Sequence, residues 1–95
     1  MIEVRLTDSA ESEYRNAVKR YRRDSAAVAK RFKQAFYFGI DWIAEFPEAS
    51  PLCDDFHRYC ILKKFPYGIV YELVDGIANV VAVTHFNQQP GYWLD

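Results

Sequence analysis

Arg58 and His85 are the two side chains whose type and placement best suit them to chemistry. Arg58 is the only arginine after Arg31. Its planar guanidinium can grip a carboxylate or phosphate through two parallel hydrogen bonds. An ion pair with Asp54, Asp55 or Glu72 would use the same group structurally. His85 closes the run Val83-Thr84-His85, just ahead of Phe86-Asn87-Gln88-Gln89. An imidazole there can serve as a general acid or base near neutral pH, or it can hydrogen-bond a tyrosine or a backbone carbonyl. His57, beside Arg58, carries no stronger signal. Tyr67, Tyr71, Tyr92 and Trp93 are aromatics with polar tips, suited to stacking on bases or to rimming a small core. Pro90-Gly91-Tyr92-Trp93 reads as a tail that folds back onto a sheet.

Other chemistries lack their signatures. There is no Gly-rich phosphate loop, no Gly-x-Ser-x-Gly and no paired acids of the glycosidase kind. Cys53 and Cys60 lie seven apart, with no Cys-x-x-Cys or histidine spacing for zinc. Neither a metal nor a cofactor is expected. Cys60 alternates with apolar neighbours and reads as core.

The elements that must position these side chains follow from periodicity. Ile2, Val4 and Leu6 alternate with Glu3 and Arg5, as in a half-buried strand. Thr7 or Asp8 offers an N-cap, with Glu11 completing a capping box after Asp8. Ala10, Tyr14, Ala17, Val18 and Tyr21 then form one face of a helix ending near Arg22. Asp24 or Ser25 caps a second helix whose apolar face is Val28, Phe32, Ala35, Phe36, Gly39, Ile43 and Phe46. Pro47 stops it near Glu45. Strands follow over residues 57–64, 67–74 and 77–85, the last two joined by the Asp75-Gly76 turn.

The expected fold is α+β. An N-terminal strand leads into an antiparallel helical hairpin, then a three-stranded antiparallel meander, with the helices on one face of a four-stranded sheet. The 95 residues form one domain, 1–95. Both sides of the last strand are apolar: Val80, Ala82 and Thr84 on one, Val81, Val83 and His85 on the other. The sheet's second face therefore needs a cover, from the tail or from a partner.

Composition bounds the partners. Half the residues are hydrophobic (51%), which argues against disorder. No apolar run approaches the ~20 residues of a membrane span, and the alternating N-terminus is unlike a signal peptide. A cytoplasmic protein with no membrane partner is expected. Net charge is only −1, yet eight of the twelve basic residues lie between Arg15 and Lys33, with one acid among them. Such a cluster either solvates a helical hairpin or attracts nucleic acid or an acidic protein. Arg20 and Arg23 are its candidate contacts.

The order of elements, together with Pro47, Arg58, Phe65-Pro66-Tyr67, Tyr71, Val81 to Val83, His85 and Pro90-Gly91-Tyr92-Trp93, resembles the ParE/RelE toxins of bacterial type II toxin–antitoxin systems. The resemblance covers nearly the whole chain and is strongest to the ParE-like, plasmid-stabilisation branch. It implies a growth-arresting toxin neutralised by a cognate antitoxin encoded beside it, in a toxin–antitoxin hetero-oligomer. ParE-like members poison DNA gyrase; RelE-like members cleave mRNA on the ribosome. The sparse basic groups near the sheet favour the gyrase reading, with Arg58, Tyr67, Tyr71, Tyr92, Trp93, Arg20 and Arg23 as contacts to antitoxin or target. The endoribonuclease reading would make Arg58 the phosphate ligand and His85 or Tyr92 the acid–base groups. A non-toxic module that still binds antitoxin is the third reading. Gln88 and Gln89 depart from the branch, which commonly carries arginines there.

Overall fold

The computed structural model describes residues 1–88 and 91–94; Gln89, Pro90 and Asp95 lie outside the described residues. Strand β1 (Glu3–Leu6) leads into helices α1 (Asp8–Asp24) and α2 (Ala26–Glu45). Strands β2 (His57–Ile61), β3 (Tyr67–Val74) and β4 (Ile77–His85) follow, and Tyr92–Leu94 forms a closing 3₁₀ turn. The sheet order is β1-β4-β3-β2. The meander β2-β3-β4 is antiparallel as expected, while β1 joins β4 in parallel, so the sheet is mixed.

Capping chemistry sets the helix ends. Thr7, not Asp8, is the N-cap of α1, its Oγ1 accepting from the Ala10 N–H at 3.1 Å. Ser25 serves both helices. Its N–H donates to the Tyr21 carbonyl at the end of α1, and its Oγ accepts from the Val28 N–H at the start of α2. One extended residue thus turns the chain through the hairpin. At the Asp75-Gly76 turn both residues have positive φ (53° and 75°), matching the tight hairpin read from the sequence.

The core lies between the hairpin and the sheet. Phe32, fully buried, packs against Tyr14, Tyr21, Phe65 and Tyr67, with ring centroids 5.1–6.1 Å apart. Phe36, Ile43, Ile69, Tyr71 and Val80 complete its centre. Phe46, expected on this face, instead lies half exposed against Trp42, because α2 has ended and Pro47 turns the chain away.

One irregularity decides which way β4 presents its side chains. Val70 pairs with Ala82 but Tyr71 pairs with Val80, leaving Val81 as the extra residue of a β-bulge. The bulge shifts the alternation by one, so Val80 and Val83 both join the helix-side core. The expectation that Val80 and Val83 face opposite sides is therefore corrected. His85, two residues after Val83, is carried to the α1 side with it. The tail lies over part of the second face, where the Trp93 ring meets His57 edge to face at 6.4 Å and its indole N–H donates to Asp54. Val70 and Ala82 are wholly buried there, and the Tyr59 ring lies over Gly68, where an added Cβ would fall 2.2 Å from a ring carbon. Among the described residues, no helix is long and apolar enough to cross a membrane.

Candidate functional site

A polar cleft opens between α1 and the end of β4. It has a volume of about 500 Å³ and is lined by Glu13, Asn16, Arg20, Tyr67 and His85. Helical spacing puts Glu13, Asn16 and Arg20 on one face of α1. The β-bulge turns His85 to meet them, and the β3–β4 register sets Tyr67 directly opposite His85. The two rings meet edge to face, 5.0 Å between centroids. The Asn87 N–H donates to His85 Nδ1 at 3.0 Å, so the ring proton sits on Nε2. Arg20 donates to the Tyr67 hydroxyl at 3.4 Å.

Glu13 organises the rim of this cleft. Strand β1 pairs with β4 only as far as Val80, leaving the edge of β4 bare beyond it. The Glu13 carboxylate fills that gap, accepting from the Val83 N–H at 3.0 Å and from the Tyr92 hydroxyl. Burial pushes the Tyr92 hydroxyl up to about 12, and the hydrogen bond to Glu13 pushes the same way. The phenol keeps its proton and donates it, which suits a structural clasp better than a general base.

A second clasp holds the next residue of the tail, Trp93. The Asp54 carboxylate accepts from the N–H groups of Phe56 and His57 at 2.8 and 2.7 Å, from His57 Nδ1 at 2.9 Å and from the Trp93 indole N–H at 3.2 Å. Burial works against its ionised form, yet these donors hold Asp54 well below the usual carboxylate range. His57 is itself buried, with its Nε2 3.7 Å from Glu72.

The residues read as contacts from the sequence fall in separate places. Tyr71 has no exposed surface, and its hydroxyl donates to the Pro47 carbonyl at 2.6 Å. As a stacking surface it is corrected, because its strand position faces the helices. Tyr67 is also buried (4% exposed), reaching the cleft only through its hydroxyl and ring edge. Arg58 neither reaches the open face nor joins an ion pair with Asp54, Asp55 or Glu72. It pairs across strands with Tyr71 on the helix side, and its Nη1 donates to the carbonyls of Glu48 at 3.0 Å and Ser50 at 2.8 Å. There it pins the loop that follows α2. Since Arg58 sits beside Tyr71 and His85 beside Tyr67, four residues of β3 separate them, about 13 Å along the strand. Arg20 lines the cleft, whereas Arg23 is exposed in the last turn of α1, where its charge complements the helix dipole. Gln88 lines the cleft; Gln89 and Pro90 lie outside the described residues.

Two acids escaped sequence reasoning. Asp54, two and three residues ahead of the N–H groups it accepts, had a local turn signal that would have revealed it. Glu13 had none, since its partners lie 70 and 79 positions away. Among the described residues, no group of three or more His, Cys, Asp or Glu side chains could hold a metal ion.

Residues 4–90 match the family model described as "ParE toxin of type II toxin-antitoxin system, parDE". Among solved structures, the chain is similar to one titled "Chromosomal ParDE TA system from P. aeruginosa". The TM-score is 0.78 at 11% sequence identity, over 90% of this chain and 96% of that one. No curated protein sequence matches it.

Proposed function

The chain belongs to the ParE toxin family of type II toxin–antitoxin systems, and from that premise we propose that it arrests bacterial growth in the cytoplasm by binding DNA gyrase and is neutralised by a cognate antitoxin. The observation that carries the choice of target is the dispersal of the groups an RNA-cleaving site would need. The Arg58 guanidinium is occupied by two loop carbonyls, and the Arg58 backbone lies about 13 Å along β3 from that of His85. The Tyr92 proton is committed to Glu13. Cleavage of RNA needs a cation on the phosphate and a base on the ribose hydroxyl at the same point. Protein binding needs only a shaped surface, which the basic hairpin and the tail provide.

One arrangement favours the alternative. His85 and Arg20 share an open polar cleft, so a ribosome-dependent endoribonuclease would work through those two residues and not through Arg58.

Controlled induction in a bacterial host separates the readings, with DNA-damage signalling and transcript integrity followed together. Damage signalling with intact transcripts is expected. Cut transcripts without damage signalling would overturn the gyrase reading, and their loss in His85→Ala would assign the cut to the cleft. No growth defect at a confirmed protein level would leave a non-toxic antitoxin-binding module.

A further inference from the structure

The outer face of the helical hairpin carries two rows of cations. Helical spacing puts Arg15, Lys19 and Arg22 on one stripe of α1, and Lys30, Lys33 and Tyr37 on one stripe of α2. The antiparallel hairpin lays the stripes side by side. Lys33 and Tyr37 share with Arg15, Lys19 and Arg22 a recess of about 380 Å³, floored by Tyr14 and Val18. Tyr14 is anchored from below, its ring 4.2 Å from that of Phe36. The cleft residues Glu13, Asn16 and Arg20 occupy the opposite side of α1.

These charges are not neutralised within the chain. Between Tyr14 and Tyr37 the one acid is Asp24, at the tip of the hairpin. Arg15 pairs with Glu11 at 2.7 Å. Among the described residues, Lys19, Arg22, Lys30 and Lys33 form no ion pair. Helix stability does not account for them either. Like charges three and four residues apart repel, and α2 has no acid in its first turn to offset the cations that follow. The face therefore holds a concentrated positive field on a chain whose net charge is −1.

The chemistry around the cations narrows what they fit. A protein interface is built on a desolvated apolar centre. Here, among the described residues, Tyr37 is the single large exposed apolar side chain, because Phe38 and Trp42 lie along another side of α2, beside β2. Single-stranded nucleic acid is held by several exposed rings that stack its bases, and one tyrosine does not make such a platform. Two parallel rows of long cationic side chains suit a duplex. Arg15 and Arg22 are about 10 Å apart along α1, and packed helices lie roughly 8–10 Å apart. Those spacings are comparable with the grooves of duplex DNA, roughly 6–12 Å wide and edged by phosphates.

We propose that this face binds the phosphodiester backbone of duplex DNA without regard to sequence. Arg15, Lys19 and Arg22 meet one run of phosphates and Lys30 and Lys33 the other, while the Tyr37 hydroxyl donates to a phosphate oxygen between them. The contact adds to the gyrase reading and does not depend on it. A toxin acting on a DNA-bound enzyme would gain affinity from the duplex beside it.

The test uses the purified full chain and a fluorescein-labelled, random-sequence DNA duplex of about two helical turns. Binding is followed by fluorescence anisotropy between ~50 and ~200 mM salt. The unmodified chain is compared with Lys19→Gln/Arg22→Gln/Lys33→Gln and with Lys63→Gln/Lys64→Gln, which removes charge on another side of the molecule. Circular dichroism checks the fold of each. We expect the affinity of the unmodified chain to fall with salt at a log–log slope near −4. The hairpin variant should bind at least ~10-fold more weakly, with a slope shallower by about 2–3. The Lys63/Lys64 variant should bind as the unmodified chain does. Absence of salt-dependent binding, or equal weakening by the two variants, would overturn the proposal. Equal or tighter binding of the single strand of the same length would overturn the duplex assignment. Preference for polyglutamate over the duplex would reassign the face to an acidic protein. Since gyrase is absent from the assay, none of these failures touches the gyrase reading.

Discussion

The two faces of the sheet are both buried, but by different physics. The helix side is closed by aromatic and aliphatic packing: Phe32, Phe36, Ile43, Ile69, Tyr71 and Val80 lie in one cluster with almost no exposed surface. That stabilisation comes from area removed from water and is largely indifferent to pH. The tail side is closed by a few residues, Tyr59, Tyr92 and Trp93 among them, and two carboxylates, Glu13 and Asp54, hold the tail in place. Charge-assisted hydrogen bonds to short segments of chain are strong individually but few. The tail side should therefore open at lower cost than the core, as locally unfolding regions do. The chain can thus keep a rigid hairpin–sheet body while its second face is released.

The contrast can be broken at its strong side first. Phe32→Ala removes the ring at the centre of the aromatic cluster and should cost ~3–5 kcal/mol in denaturant unfolding. A smaller loss would mean the helix side is less tightly packed than its geometry indicates. On the other face, Gly68→Ala forces a Cβ into the Tyr59 ring. A cost of ~1–3 kcal/mol is expected from overpacking, together with a change in Trp93 fluorescence as the cover shifts. Full stability in this variant would show that the Tyr59 ring swings away freely.

Gentler changes sharpen the comparison. Tyr92→Phe deletes the hydrogen bond to Glu13 and should cost about 1 kcal/mol, with faster amide exchange across the tail and none in the core. The Tyr92 pKa is raised to about 12 in the folded chain, so its contribution is complete below about pH 10 and is lost as pH rises through 12. The variant should accordingly show a shallower alkaline loss of stability. Asp54 gives the smallest and most local effect. Its folded pKa is depressed, so its contribution is complete above about pH 4 and declines as pH falls toward the lower folded value. Trp93 fluorescence should then change in acid before the far-ultraviolet circular dichroism does. Simultaneous transitions would mean that the two faces unfold as one.

Much of this arrangement was legible in local sequence. Alternation found every strand within a few residues, although β2 ends at Ile61, short of the 57–64 expected. The stop at Pro47 and the Asp75-Gly76 turn rest on the chemistry of one or two residues, and the caps were narrowed to Thr7 or Asp8 and to Asp24 or Ser25, of which the structure uses Thr7 and Ser25. The folding-back of Tyr92 and Trp93 was also readable, because apolar residues on both sides of β4 demanded a cover. The candidate site was less legible. Arg58 and Tyr71 read as candidate contacts, yet the Arg58 guanidinium bonds two loop carbonyls and Tyr71 is buried, since a side chain's type does not reveal which neighbour takes its hydrogen bond.

Local residue chemistry thus established the elements of this protein, their order and the need to bury both faces of the sheet, because periodicity and capping act over a few residues. Three matters were settled by how those elements met in space. The bulge at Val81 sent His85 toward α1. Glu13 reached the Tyr92 hydroxyl across 79 positions. The hairpin set Lys33 of α2 beside Lys19 and Arg22 of α1. Each is a choice among contacts that the same residues could satisfy in other ways, and the packing of the whole chain selects between them.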